Sequence, residues 1–163
     1  MRHLIRCLPF VPALLLLGSC QTPTAFPEPT AQWETHVGQL QSTAAGKSVI
    51  GEVVVRRSGT ENFQLSFSSG PGFPLLKLWA SGESGRAEGV LARGQWQGLL
   101  SQAPSQLQSF TRLPEVFAAI SPERPRAQTG AFAAEAQFSG KRLTRLSSTF
   151  PATGERLIFV FSR

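Results

Sequence analysis

The residues that could carry acid–base or nucleophilic chemistry are few in this sequence of 163 residues. The chain contains no Asp and no Tyr, and of its two His residues only His36 lies beyond the amino-terminal stretch. A Ser-His-Asp triad cannot be built. Although a Glu could replace the Asp, no G-x-S-x-G motif supplies a nucleophile. We therefore do not expect His36 to act as a catalytic base.

Two other chemistries depend on carboxylates. Metal binding needs clustered His, Cys and carboxylate ligands, and a single His with scattered Glu residues does not supply them. Paired Glu residues could cleave a glycosidic bond, and the candidates are Glu52, Glu83 and Glu88. The alternative, that these are solvated charges on strands and loops, is favoured. The sequence therefore predicts no enzyme, no metal and no cofactor.

The amino-terminal residues 1–19 have the three parts of a secretory signal. A basic start is followed by the apolar run from Pro9 to Gly18, which is too short to span a bilayer. The run ends in Leu17, Gly18, Ser19 and Cys20, which resemble the bacterial lipobox. The resemblance implies cleavage before Cys20, a diacylglyceryl thioether on its sulfur, and acylation of the new amine, for example by palmitate. Such multiple acylation anchors a protein durably. The alternative is an ordinary signal with an incidental cysteine.

Cleavage at that site would leave 144 residues, enough for one domain with a buried core. Loss of Arg2 and Arg6 lowers the formal charge from +6 to +4. Cys7 leaves with the signal and Cys20 carries lipid, so no disulfide can form. The modest charge favours anionic head groups, and no run of basic residues indicates nucleic-acid binding. Residues 20–30 hold three prolines and predict an extended tether of about 30 Å.

A single domain is predicted over residues 31–163, and its first element is predicted to be a helix. Trp33, Val37, Leu40 and Ala44 recur at spacings of four, three and four, which is typical of one helical face.

After residue 46 the apolar pattern changes to a period of two, which is typical of strands. SVIGEVVVRR is a β-branched run, and in ENFQLSFSS the residues Phe63, Leu65 and Phe67 alternate with polar ones. PLLKLWA, RAEGVLAR and GQWQGLL are further candidates, separated by glycine-rich breaks. Short strands with tight breaks favour an antiparallel meander.

A helical insert and a hairpin complete the chain. Leu107, Phe110 and Leu113 form a helical stripe, which Pro114 is expected to divide into two pieces. KRLTRLSSTF and ERLIFVF are predicted to form a hairpin, and the second strand is apolar on both faces, which predicts that both are covered. Helical elements folded onto one face of an antiparallel sheet give the α+β class.

Large apolar residues are the remaining functional candidates. Trp33, Trp79 and Trp96 can belong to the core or line an apolar cavity. Phe73 lies between two prolines, where backbone pairing is hard. It is expected either to protrude on a loop that contacts membrane or a partner, or to fold back over the core.

The order of these elements resembles the LolB family, the outer-membrane receptors for lipoproteins in Gram-negative bacteria. In that family an acylated cysteine and a short tether precede a W-x-x-H-like pattern, here Trp33 to His36. Gly51 opens GEVVVRR, FQLSF matches an alternating aromatic strand, and PSQLQSFTRLP resembles the cavity-covering helices, with Phe110 at the aromatic position. GKRLTRLSSTFPATGERLIFVF resembles a late hairpin, and GPGFPLL is the candidate for the family's protruding loop.

The resemblance implies a curved antiparallel sheet, an incomplete β-barrel, with an N-terminal helix and a helical insert covering its concave face. Between them it implies an apolar cavity for acyl chains, with a void of several hundred Å³. The implied lining consists of Trp33, Phe63, Leu65, Phe67, Leu78, Trp96, Phe110, Leu113 and Phe159. Because each buried methylene contributes about 0.8 kcal/mol, such a cavity needs no catalytic group.

Two functions follow as alternatives. The first is a monomeric lipoprotein-transport chaperone that binds acyl chains or lipoproteins and receives them from a periplasmic carrier protein. The second is a non-catalytic envelope adaptor with a solid core, in which an edge strand or Phe73 contacts another protein. Residue 21 is Gln and not the Asp that retains lipoproteins at the inner membrane, so the expected location is the outer membrane, facing the periplasm.

Overall fold

The computed structural model describes residues 25–70 and 72–162. Antiparallel strands form one curved sheet that is not closed into a barrel, in the spatial order β6-β5-β4-β3-β2-β1-β10-β9-β8-β7. This confirms the predicted α+β class with an antiparallel sheet. The strands are β1 Glu34–Ala44, β2 Lys47–Ser58, β3 Asn62–Ser69, β4 Phe73–Ser81, β5 Ser84–Gly89, β6 Gly94–Leu99, β7 Arg126–Gln128, β8 Ala133–Ser139, β9 Arg142–Phe150 and β10 Glu155–Phe161.

The predicted signal, the lipobox residues Leu17, Gly18 and Ser19, and the lipidation site Cys20 lie outside the described residues. Residues 25–30, from the carboxyl half of the predicted tether, have no regular secondary structure. A turn follows, in which the Trp33 amide donates to the Thr30 carbonyl over 3.1 Å, and β1 begins at Glu34.

The predicted N-terminal helix is wrong, because Glu34–Ala44 form β1. Its buried residues His36, Leu40 and Ser42 alternate in the manner of a strand, whereas Val37, which the helical pattern placed on the buried face, is 51% exposed. β1 pairs with β2 from Glu34 to Ala44 and with β10 on its other side. This main-chain pairing on both edges overrides the local helical spacing.

The helical insert contains α1 Gln108–Thr111 and α2 Leu113–Ala119, preceded by two short 3₁₀ turns, Leu100–Gln102 and Ser105–Leu107. The predicted division into two pieces is confirmed. The break falls at Arg112, and Pro114 occupies the first turn of α2, where its missing N–H is tolerated. We refer to residues 100–119 as the helical segment. No helix in the described part of the chain is long and apolar enough to cross a bilayer.

Most predicted strands and the late hairpin are confirmed, with two differences. β7 and β8 were not predicted, because β7 has only three residues and the inward-facing residues of β8 are the small Ala134 and Ala136, which give little apolar contrast. The expectation that β10 is covered on both faces is wrong. Leu157, Phe159 and Phe161 are buried on its inner face, whereas Val160 on the outer face is exposed.

The antiparallel topology places the turns of the sheet at two opposite ends. We call the end where β1 begins the proximal end, and it also carries the β2–β3, β4–β5 and β8–β9 turns. The distal end carries the β1–β2, β3–β4, β5–β6 and β9–β10 turns. The core lies between the inner face of the sheet and the helical segment, and its members all fall between residues 40 and 161. Among the described residues, none before Leu40 belongs to this core.

Gly38 marks the closest approach of β1 to β10. A Cβ atom at this position would overlap the carbonyl oxygen of Val160 and crowd the Cα of Phe161. Because these are backbone atoms of the neighbouring central strand, they cannot move aside without breaking the ladder.

We predict that Gly38→Ala lowers the free energy of unfolding by about 1–3 kcal/mol through this overpacking. Gly130→Ala is the matched control, since nothing lies within 4 Å of a Cβ atom there. Urea unfolding of both variants measures the difference. Equal stability of the two variants would contradict the close approach.

Candidate functional site

The interface between the sheet and the helical segment is organised around Phe117 of α2. Its ring centroid lies 5.6 Å from that of Phe63, 5.8 Å from Phe159 and 6.4 Å from Phe161. The contact with Phe159 is edge-to-face, with an interplanar angle of 79°. Aromatic pairs at these separations add about 0.5–1.5 kcal/mol beyond burial. Phe117 therefore joins α2 to the inner faces of β3 and β10.

Arg57 at the end of β2 makes the polar contact that accompanies this packing. Its Nη1 donates to the Phe117 carbonyl oxygen over 3.0 Å, and its Nε donates to Glu34 Oε2 over 2.6 Å. The guanidinium also lies 5.9 Å from the Phe117 ring centroid. The β1–β2 register, which pairs Glu34 with Arg57, fixes this arrangement. One side chain thereby links two strands to the last turn of α2.

His36 lies beneath this contact and is 8% exposed. Its ring centroid is 5.1 Å from that of Phe161 and 6.2 Å from that of Phe117. Its Nε2 lies 2.9 Å from Glu34 Oε1, and no group of the described residues meets the geometry of a hydrogen bond to it. Burial lowers the pKa of His36, Glu34 opposes that effect, and the Arg57 charge adds to it. The imidazole is therefore held neutral.

The pKa of the Glu34 carboxylate is lowered as well. Partial burial acts to raise its pKa, but the hydrogen bond and the charge of Arg57, together with His36, bring the pKa below its ordinary value. Glu34 thus stays ionised beside Arg57.

The residues predicted to line a cavity mostly lie together in the core. Phe63, Leu65, Phe67, Leu78, Phe110, Leu113 and Phe159 are all buried and belong to one apolar cluster. Trp96 on β6 is partly buried against that cluster, close to Gly85. Trp33 is partly exposed in the turn before β1. Seven of the nine predicted residues thus lie in one buried cluster, where they contact other protein side chains, and their role in ligand binding stays a prediction.

Open depressions of several hundred Å³ lie at the two ends of this interface. The proximal one, of about 480 Å³, is lined by Pro114 and Ala118 of α2, and by Thr60 and Glu83 in the strand turns. The distal depression, of about 490 Å³, reaches Phe110, which is one of the predicted lining residues. The interface is therefore accessible from its ends.

Phe73 is 58% exposed at the start of β4. It borders a third depression, of about 550 Å³, together with Pro74, Lys77 and the exposed Val90. The side chain is exposed and not folded back over the core, but it lies on β4, where Phe73 pairs with Ser69, and not on the predicted protruding loop. Its role in membrane or partner contact stays a prediction.

The carboxylates considered for glycosidic cleavage are not brought together. Glu52 lies on β2 and Glu88 on β5, with β3 and β4 between them. Three strand spacings separate them by roughly 14 Å, which exceeds the carboxylate separation of about 5–9.5 Å in glycosidases. Glu83 is in the β4–β5 turn at the proximal end. Within the described ranges no group of three His, Cys, Asp or Glu residues could hold a metal ion.

Comparison with known proteins gives structural similarity at low sequence identity. No protein-family model matches the chain, and no curated protein matches it. Among solved structures, the chain is similar to the LolA superfamily protein NE2245 from Nitrosomonas europaea, with 9% sequence identity and a TM-score of 0.46. The match covers 80% of this chain and 84% of that one. At this identity and TM-score the similarity carries no conclusion about ligand or activity, and the resemblance to LolB stays a prediction.

The environment of His36 predicts a stability that falls in mild acid. Because its pKa is lowered in the folded state, the unfolded chain binds the proton more readily. The free energy of unfolding should therefore decrease as the pH falls below about 6.5, with a slope of at most about 1.4 kcal/mol per pH unit. The contribution of Glu34, whose pKa is also lowered, is lost only at more acid pH, as the pH falls from about 4.3 through its folded-state pKa.

Urea unfolding at pH 7.5, 6.5 and 5.5 measures this slope. In His36→Gln the slope across that range should vanish, whatever the absolute stability of the variant. A slope that persists in the variant would assign the pH dependence to another group.

Proposed function

We propose that the protein is a lipid-handling lipoprotein that binds acyl chains between the inner face of its sheet and the helical segment. One observation carries the proposal, namely that this interface is predominantly apolar and that few polar contacts hold it together. In the described part of the chain, two side-chain hydrogen bonds join the helical segment to the rest. They are Arg57 to the Phe117 carbonyl and Ser109 with Thr153, at 3.0 and 2.9 Å. A segment held this way can lift without leaving many buried polar groups unpaired.

The free energy that lifting the helical segment costs and the free energy that burying an acyl chain contributes are similar in size. Lifting the helical segment would expose Leu107, Phe110, Leu113, Val116 and Phe117, which are buried here. At roughly 1.5–3 kcal/mol for each side chain, exposure costs on the order of 10 kcal/mol. A chain of about 14 methylenes, at about 0.8 kcal/mol each, offsets a comparable amount when it takes their place. The ligand therefore substitutes for the helical segment on the inner face.

The proposal includes an anchor and a location. The lipobox-like residues 17–20 support a lipid anchor on Cys20, and Gln21 supports the outer membrane, with the domain facing the periplasm. Lipoproteins delivered by a periplasmic carrier are then the proposed cargo, since their acyl chains have the chemistry of the interface.

The anchor is tested by replacing its attachment point. In Cys20→Ala the protein should leave the outer-membrane fraction and be found as the uncleaved precursor or in the soluble fraction. Metabolic labelling with palmitate should be lost. Ser19→Ala is the matched control, because small residues are accepted beside the cysteine in this pattern, and it should retain the label. Retention of label in Cys20→Ala would contradict the lipobox assignment.

Acyl binding is tested with an uncharged fluorescent fatty alcohol and a purified, delipidated chain that begins at Gln21. Phe117→Leu keeps the interface apolar but removes the ring contacts, so we expect its apparent affinity for the alcohol to rise several-fold over wild type. Phe73→Leu, which alters an exposed ring away from the interface, should bind as wild type does. Fluorescence titration reports all three. Lack of uptake by wild type and Phe117→Leu, while a known lipid carrier binds the alcohol, would exclude the proposal.

The adaptor alternative is favoured by two observations, the filled interface and the exposed Phe73. In that function the core stays closed and Phe73 contacts an envelope protein. If no acyl uptake occurs, photocrosslinking from position 73 in intact cells should recover one dominant protein. Recovery of lipid instead of protein would count against the adaptor.

A further inference from the structure

The distal depression has two chemically different parts. We call it the distal pocket, and it lies between the β1–β2 hairpin, the β5–β6 turn, the β9–β10 turn and the start of the helical segment. Its volume of about 490 Å³ is in the range of small-molecule sites. The structure thus places four separate chain segments around one opening at the end of the sheet.

The distal pocket has an apolar lining, which runs from the buried Phe110 and the half-buried Leu91 to the exposed Val49 and Ala44. Phe110 from α1, Leu91 from the β5–β6 turn, and Val49 and Ala44 from the β1–β2 hairpin all line it. Phe110 belongs to the core cluster and Leu91 packs against it, so the apolar surface is continuous with the interface between sheet and helical segment. An aliphatic chain that enters the pocket contacts the core at Phe110.

The rim of the distal pocket carries two cations. Lys47 and Arg93 line the pocket, both are exposed, and neither takes part in an ion pair within residues 25–70 and 72–162. Lys47 is held opposite Ala44 by the hairpin register. The backbone of Arg93 has a φ of 55°, in a region that glycine adopts with less strain. The Arg93 amide donates a hydrogen bond to the Val90 carbonyl over 3.0 Å. Both side chains are therefore carried by tight turns.

One carboxylate also lines the pocket, and it is engaged within the protein. Glu155 is 7% exposed, and its Oε1 accepts a hydrogen bond from Ser42 Oγ over 2.8 Å. Two cations at the rim against one buried carboxylate leave the lining with a net positive charge. An apolar floor below a cationic rim is complementary to an amphiphile whose polar end is an anion.

We propose that the distal pocket binds an acyl chain with an anionic head group, whose chain contacts Val49, Leu91 and Phe110 while Lys47 and Arg93 hold the anion. This deepens the proposed function and rests on it, because the same interface takes the chain. It adds a head-group selectivity that acyl binding alone does not require. A phosphodiester and a carboxylate are the two anions that could supply this charge.

Calorimetric titration of the chain that begins at Gln21 tests the proposal with lysolipids kept below their micelle concentration. Lauroyl lysophosphatidylglycerol should bind at least tenfold more tightly than lauroyl lysophosphatidylcholine, which has the same chain and no net charge. The preference should weaken as NaCl is raised. Laurate binding as tightly as the phosphatidylglycerol would identify a carboxylate as sufficient, and much weaker laurate binding would identify the phosphodiester. Glycerol 3-phosphate, which has a head and no chain, should not bind measurably.

Substitutions separate the two parts of the pocket. Lys47→Gln and Arg93→Gln should each weaken lysophosphatidylglycerol binding on the order of fivefold, with little effect on lysophosphatidylcholine. Lys141→Gln and Arg142→Gln remove the same charges from exposed positions at the proximal end and are the matched controls. Val49→Ser should weaken both lysolipids by the same factor. Circular dichroism checks that each variant is folded.

Equal affinity for the two lysolipids, or loss of selectivity in the proximal controls as well, would overturn the head-group assignment. If neither lysolipid binds while the uncharged fatty alcohol does, the distal pocket is not the site and the proposed function stands. If no acyl compound binds at all, both the head-group assignment and the proposed acyl-binding function fail. Binding of glycerol 3-phosphate with the affinity of the lysolipid would replace the proposal with a simple anion site.

Discussion

The packing of Phe117 against the inner face of the sheet is the contact on which the rest of the structure depends. Four rings from three strands surround it, those of His36, Phe63, Phe159 and Phe161. α2 has seven residues, which is too short to be stable by itself in water. The helix therefore exists because the sheet provides an apolar surface for it, and the sheet is shielded from water because the helix covers it. α2 and the sheet therefore stabilise each other.

Much of the sheet could be predicted because period-two alternation survives wherever one face is buried. Phe63, Leu65 and Phe67 on β3 show this clearly, as do Leu157, Phe159 and Phe161 on β10. β1 was assigned to the wrong class because its outer face also carries an apolar residue, Val37, and its inner face includes the polar Ser42 and the small Gly38. The buried face of β1 is defined by its neighbours. Its own composition does not reveal that face.

The candidate site could be predicted in part, and the limit has a physical origin. Aromatic and aliphatic residues in alternating strands are driven to the same interface, so their burial follows from their types and spacing. Whether they enclose empty space depends on differences of an ångström between backbone positions, and sequence patterns do not encode these differences. The distal pocket could not be predicted from the sequence for a related reason. Lys47, Arg93 and Phe110 lie far apart along the chain, and only the topology of the turns brings them to one opening.

The predicted lining is packed as a core because buried apolar surface stabilises the fold. In the proposed mature chain, cut before Cys20, no cysteine pair would restrain the unfolded state, so stability would depend on that surface. A permanent void behind Phe63, Leu65 and Phe159 would remove some of that stabilisation. Under the proposed function, the domain is therefore more stable closed when empty, and an acyl chain would enter by replacing the side chains of the helical segment. The short length of α1 and α2 favours this replacement. The side chains on the inner face of the sheet would then form the core in one state and the cavity wall in the other.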